Sequence, residues 1–213
     1  MTALEKLLRI PAGQTHIEGM LALPESAQGL VLFAHGSGSS RHSPRNNYVA
    51  QVLRDAGIGT LLMDLLTPEE DADYQTRFDI PLLTDRLLAA TGWIESQPEV
   101  QGLPVGYFGA STGAAAALQA AAVRGDEIGA VVSRGGRPDL AGTHALHLVR
   151  CPVLLLVGGR DEVVIDLNQD ALEQLTCPRE LVIVPGATHL FEEAGTLEEV
   201  ARQAAAWFGR HLA

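Results

Sequence analysis

The sequence predicts a single α/β domain built on a doubly wound, mostly parallel sheet, with an antiparallel hairpin on one edge. Three observations lead there. Six short runs rich in Val, Leu and Ile are too brief for helices and do not alternate with polar residues, the pattern of strands buried on both faces. Segments with helical spacing separate most of those runs, and strand followed by helix, repeated, builds a parallel sheet with helices on its faces. With 213 residues, 46% hydrophobic and 19% charged, the chain is long enough to bury a core without disulfides.

The elements follow in order. Within the first 28 residues, LLRIPAG and HIEGMLALP read as the edge hairpin. GLVLFAH (29–35) is the first buried strand, NNYVAQVLRDAG a helix and IGTLLMD (58–64) the next strand. A long loop, LLTPEEDADYQTRFDIP (65–81), runs into the helical DIPLLTDRLLAATGWIESQ. PVGYFGA (104–110) enters an alanine-rich helix, and IGAVVS (128–133), PVLLLVG (152–158) and ELVIVPG (180–186) are the remaining strands. DLNQDALEQL and TLEEVARQAAAWFGRHL supply the last helices, with Trp207 and Phe208 packing partly on the sheet. Right-handed crossovers put the loops after the parallel strands on one side, where ligands bind in such folds. Those loops begin at His35, Asp64, Ser111, Ser133, Gly158 and Gly186.

Composition narrows the partners. A formal charge of −11 argues against nucleic acid or anionic membrane. The N-terminal MTALEKLLRIPAG has charges where a secretory signal needs an apolar stretch, and no apolar run reaches spanning length, so a cytoplasmic protein is expected. Cys151 and Cys177 each precede a proline, outside any C-x-x-C pattern, and read as reduced structural thiols. No H-E-x-x-H, G-x-G-x-x-G or Gly-Lys-Ser/Thr occurs, so neither metal nor organic cofactor is expected.

The chemistry gathers at Gly109-Ala110-Ser111-Thr112-Gly113, which fits G-x-S-x-G. A strand must end and a helix begin within about two residues here, forcing the serine into a strained turn that small neighbours permit. The helix start aims free amides and a positive dipole end at the same place. A serine hydroxyl needs a base, and the base an acid that fixes its tautomer. Asp161 in VLLLVGGRD and His189 in LVIVPGATH follow later strands, in the chain order Ser, Asp, His of the α/β-hydrolases. Asp166 is the near rival of Asp161 and reads as the N-cap of the next helix.

With HGSGSS, GASTG, GGRDEVV and GATHLFEE in place, the chain resembles the dienelactone hydrolase family over nearly its whole length. The resemblance implies a small, single-domain α/β-hydrolase fold. Dienelactone hydrolases proper use a cysteine nucleophile, whereas Ser111 stands here, so their substrate is not carried over. Small serine members are described as carboxylesterases that prefer short acyl groups, which implies a small ester as substrate. The resemblance also implies an oxyanion hole from the backbone N–H groups of Thr112 and Ser37; His35 reads as anchoring the loop from within, with contact to substrate the alternative.

Against the acidic background, Arg41, Arg45, Arg77, Arg134, Arg137 and Arg160 collect at the strand ends. They either pair with the acidic residues of those loops or meet an anionic group on the substrate, with Arg41 and Arg134 the first choices. Only about 18 residues separate Ser133 from Pro152, too few for a helical cap domain, so an open cleft is expected. Segment 65–81 is the sole lid candidate, and its Tyr74 and Phe78 either cover an acyl group or pin the loop. A thioesterase or lactonase would use the same residues, and a non-catalytic small-ligand binder is the alternative of another class. A monomer or a homodimer is expected, the outer face of the last helix being the place for a dimer contact.

Overall fold

The structure is a computed structural model that describes residues 2–212. It places eight strands in one sheet: β1 (Thr2–Ala12), β2 (Thr15–Pro24), β3 (Leu30–Ala34), β4 (Gly59–Met63), β5 (Val105–Ala110), β6 (Ile128–Arg134), β7 (Val153–Gly158) and β8 (Arg179–Val184). Their spatial order is β1-β2-β4-β3-β5-β6-β7-β8, antiparallel where β1 meets β2 and β2 meets β4, and parallel throughout the rest. This is the doubly wound sheet with an N-terminal edge hairpin that the sequence predicts.

The apolar runs of β3 to β7 are continuous because both faces of the sheet are covered, whereas β8, expected to be buried on both faces, lies at the edge of the sheet with only Val184 buried. Val31 and Phe33 of β3 point into one core, with Val49 and Leu53 of α1 (Pro44–Asp55) and Val200, Ala204 and Trp207 of α7 (Thr196–His211). Leu30, Leu32 and Ala34 point into the other. There they meet α3 (Ile80–Glu95) and α4 (Thr112–Arg124), the latter flanked by α5 (Thr143–Leu148) and α6 (Glu162–Gln174). Period-two side chains with two apolar destinations leave few polar positions in the central strands, where Thr60 of β4 and Ser133 and Arg134 of β6 are the buried polar residues among those described. Trp207 and Phe208 are fully buried between α7 and the sheet.

Helix α4 is buried nearly all round. Ala114 to Ala117, Ala120 and Ala121 have no exposed surface, and side chains of that size let the sheet, α3 and α5 close on the helix. Between β6 and β7 lie only α5 and a short 3-10 turn at Pro138–Ala141, so no cap domain is inserted there among the described residues. Segment 65–81 carries α2 (Pro68–Asp71), capped by a reciprocal box between Thr67 and Glu70, and a 3-10 turn at Thr76–Phe78 before α3 begins at Ile80. No helix among the described residues is long and apolar enough to cross a membrane.

Candidate active site

Ser111 stands between the last residue of β5 and the first of α4, with φ 51° and ψ −119°. A non-glycine residue there is strained, and the surroundings hold it. Its N–H donates to Arg134 O at 3.2 Å, and its carbonyl accepts from Ala114 and Arg137, both at 3.1 Å. The glycines either side are demanded by space. A methyl group at Gly113 would lie 2.1 Å from Ala34 O, and one at Gly109 would lie 2.4 Å from Ala114 Cα. Strand, turn and helix therefore approach at backbone distance only if 109 and 113 carry no side chain.

The loop after β3 packs against this corner, for a methyl group added at Gly36 would sit 3.0 Å from Ser111 Cβ. His35 fixes the loop. It is buried, its Nε2 accepts from Leu65 N–H at 3.0 Å, and its Nδ1 therefore carries the proton that is given to Gly36 O at 2.9 Å. Burial pushes its pKa below the usual histidine value of 6.5, which keeps the ring neutral. Because a trans peptide sets C=O and N–H on opposite sides, pinning Gly36 O also aims the N–H of Ser37. That N–H and the N–H of Thr112, at the first turn of α4, have no hydrogen-bond partner among the described residues.

Asp161 and His189 come from the loops after β7 and β8. Asp161 occupies the N-cap position of α6, yet its side chain makes no capping bond and instead meets His189 Nδ1 through Oδ2 at 2.6 Å. Asp166 is not an N-cap: α6 begins at Glu162, four residues earlier than the sequence spacing suggests, and Asp166 sits inside it. His189 shares with Ser111 the wall of a cavity of about 200 Å³, although no hydrogen bond joins the two side chains. With Nδ1 engaged by the carboxylate, Nε2 is the ring nitrogen of His189 left free.

Of the arginines at the strand ends, most are spent on structure. Arg41 donates to Asp64 through both its backbone and its guanidinium, and to Glu18 at 2.5 Å, joining the β3 and β4 loops to β2. It does not line the cavity with Ser111. Arg77 pairs with Asp71 and Arg137 with Asp139. Arg134 differs: it closes β6, is 7% exposed, lines the cavity and has no carboxylate partner among the described residues. Arg45, with Ser43 at the start of α1, also lines it, a placement that the spacing of the SSRHSPRNN stretch does not reveal. Tyr74 and Phe78 pack against each other with centroids 5.1 Å apart and ring planes tilted by 57°, remain exposed and do not line the cavity. A larger space of about 480 Å³ lies toward the edge hairpin, bordered by Arg9, His16 and Glu69, away from Ser111. Cys151 and Cys177 are free and buried, and desolvation pushes the Cys151 thiol up to about 12.

The model of the dienelactone hydrolase family matches residues 17–210. The chain belongs to the dienelactone hydrolase family. A crystal structure of a dienelactone hydrolase from Anabaena variabilis is 56% identical, with a TM-score of 0.95 and 99% of each chain covered. Est1E from Butyrivibrio proteoclasticus, at 17% identity, shares the fold with a TM-score of 0.82, covering 96% of this chain and 98% of its own. A Mycobacterium tuberculosis protein named putative phosphoribosyl transferase is 58% identical over 205 residues, which are 96% of this chain and 46% of that protein. The chain thus spans about half the length of that relative. Membership in the dienelactone hydrolase family gives the chain the α/β-hydrolase fold.

Proposed function

We propose that this dienelactone hydrolase family member is a serine esterase cleaving small carboxylic esters through an acyl-enzyme. The observation that carries the reading is the convergence of a strained, outward-held Ser111 and the His189–Asp161 pair on one cavity. His189 Nε2 takes the proton as Ser111 Oγ attacks the ester carbon, and Asp161 holds the tautomer and stabilises the imidazolium. The tetrahedral oxyanion sits between the N–H groups of Ser37 and Thr112, a placement in which loss of one donor costs on the order of 100-fold to 1000-fold. Collapse expels the alcohol, which takes the proton from His189. Water, deprotonated by His189, then attacks the acyl-enzyme and releases the acid and Ser111.

The cavity is small and no cap closes over it, which supports short acyl groups over long ones. Thioesters and lactones would meet the same atoms. The phosphoribosyl transferase name of the mycobacterial relative describes a protein of which this chain matches under half, while the dienelactone hydrolase family model spans residues 17–210 of this chain, Ser111 included. The reading adopted here is therefore hydrolysis.

The test is turnover of p-nitrophenyl esters from acetate to a long acyl chain, native against Ser111→Ala. Serine-dependent rates that fall with chain length are expected. A folded native protein that turns over no member of the series, and is not labelled at Ser111 by a fluorophosphonate, removes the reading.

A further inference from the structure

The Arg134 guanidinium is an expense that folding alone does not explain. A buried cation normally has a carboxylate beside it, because leaving water without one costs several kcal/mol. Arg134 has none: its Nε lacks any partner, and Nη2 reaches only Asn46 Oδ1, at a long 3.4 Å. Its guanidinium carbon lies 5.9 Å from the centre of the Phe191 ring, a weak substitute. The second cation, Arg45, lies on the same cavity wall, close enough to depress the basicity of Arg134 further. Arg45 has one contact with a carboxylate, Glu192 Oε1 at 3.4 Å on the solvent side, and its Nε is likewise unpartnered.

The rest of the wall matches those two cations. Ser37, Ser39 and Ser43 line it and no Asp or Glu does, in a chain of net charge −11. Ser43 Oγ already accepts from Asn46 N–H, so its own proton is free to donate inward. Two guanidinium groups and several hydroxyls offer more donors than the four lone-pair sites of a carboxylate use, and two positive charges match a dianion. A phosphate monoester, with three terminal oxygens and a charge near −2 at neutral pH, satisfies both.

We propose that this cavity binds a phosphate group carried by the substrate, with Arg134 and Arg45 as its anchors and the serine hydroxyls completing the shell. The site rests on the esterase reading for its substrate, a phosphorylated small ester, though not for the binding itself. Arg134 is tied to the chemistry through the backbone: its carbonyl accepts from Ser111 N–H, so the phosphate is held at a fixed place relative to the nucleophile.

Binding and chemistry are tested apart. Calorimetric titration of the native protein with glycerol 3-phosphate, glycerate and glycerol, at low salt and pH 7.5, reads the site without catalysis. Glycerol 3-phosphate is expected to bind at least tenfold more tightly than glycerate, with glycerol undetected. Arg134→Met and Arg45→Met are each expected to weaken it at least tenfold; Arg45 is one-third exposed, so its variant keeps the test valid should Arg134→Met fail to fold. Glycerol 3-phosphate should also protect Ser111 from a fluorophosphonate.

Phosphate binding no tighter than glycerol, tighter binding of glycerate, or affinity indifferent to Arg45→Met overturns the proposal. Arginine-dependent phosphate binding in a protein whose Ser111 is unreactive supports the phosphate site and removes the esterase reading. Arginine-independent binding with full esterase activity does the reverse.

Discussion

At the scale of single residues, the His189–Asp161 contact and the His35 ring carry the sharpest consequences. Asp161 gives up the helix cap it is placed to make, so Asp161→Asn leaves the helix little changed while offering His189 the wrong hydrogen-bond partner. A fall in kcat of about 10⁴-fold, with unchanged circular dichroism, is expected from p-nitrophenyl acetate assays. His35 is legible in stability. Its pKa is lowered in the folded chain, by burial above all and despite the opposing pull of the Gly36 carbonyl, Asp64 and Asp71. The unfolded chain therefore binds a proton first as pH falls through 6.5, so this contribution is complete above 6.5 and is lost below it. Urea unfolding at pH 7 and pH 5 is expected to show a larger stability difference in the native protein than in His35→Gln. The shift of His211, in the same direction, is common to both proteins and cancels.

At the scale of elements, the β5–α4 junction and the Arg41 tie hold the loops that carry the site. Gly113→Ala drives a methyl group to 2.1 Å from Ala34 O, backbone against backbone with no side chain able to yield. A loss of about 3 kcal/mol or more is expected in denaturant titration, because overpacking at such a contact forces α4 away from β3. Arg41 tests the other half of the arginine argument. Its guanidinium joins Asp64 and Glu18, with only 16% of its side chain exposed. Arg41→Ala is expected to unfold about 2 kcal/mol more easily. Its preference for glycerol 3-phosphate over glycerate should remain that of the native protein, which calorimetry checks.

At the scale of the whole molecule, the chain is an α/β sheet with one loaded edge: the parallel strands deliver their loops to one end, and no inserted domain covers them. Turnover that declines from acetyl to long acyl esters is the expected signature of that open, small cavity. The order of elements, the edge hairpin and the G-x-S-x-G elbow were legible in sequence, because each depends on side chains close along the chain. Apolar runs report two-sided burial, and Gly109 and Gly113 report a turn with no room. The meeting of Asp161 with His189 was legible only as an expectation drawn from strand ends. The fates of the arginines were not legible at all. In sequence Arg41 and Arg134 read alike as strand-end arginines, yet one lies in the loop after β3 and is neutralised by carboxylates from β2 and the β4 loop, while the other ends β6 and is buried without one. Sequence by itself determined the architecture and the identity of the candidate serine, acid and histidine, since periodicity and local strain are properties of neighbours. Only the tertiary structure decided which charges are paired, which face the cavity and that Tyr74 and Phe78 stand apart from it, because pairing of charges depends on distances between loops that the chain order leaves free.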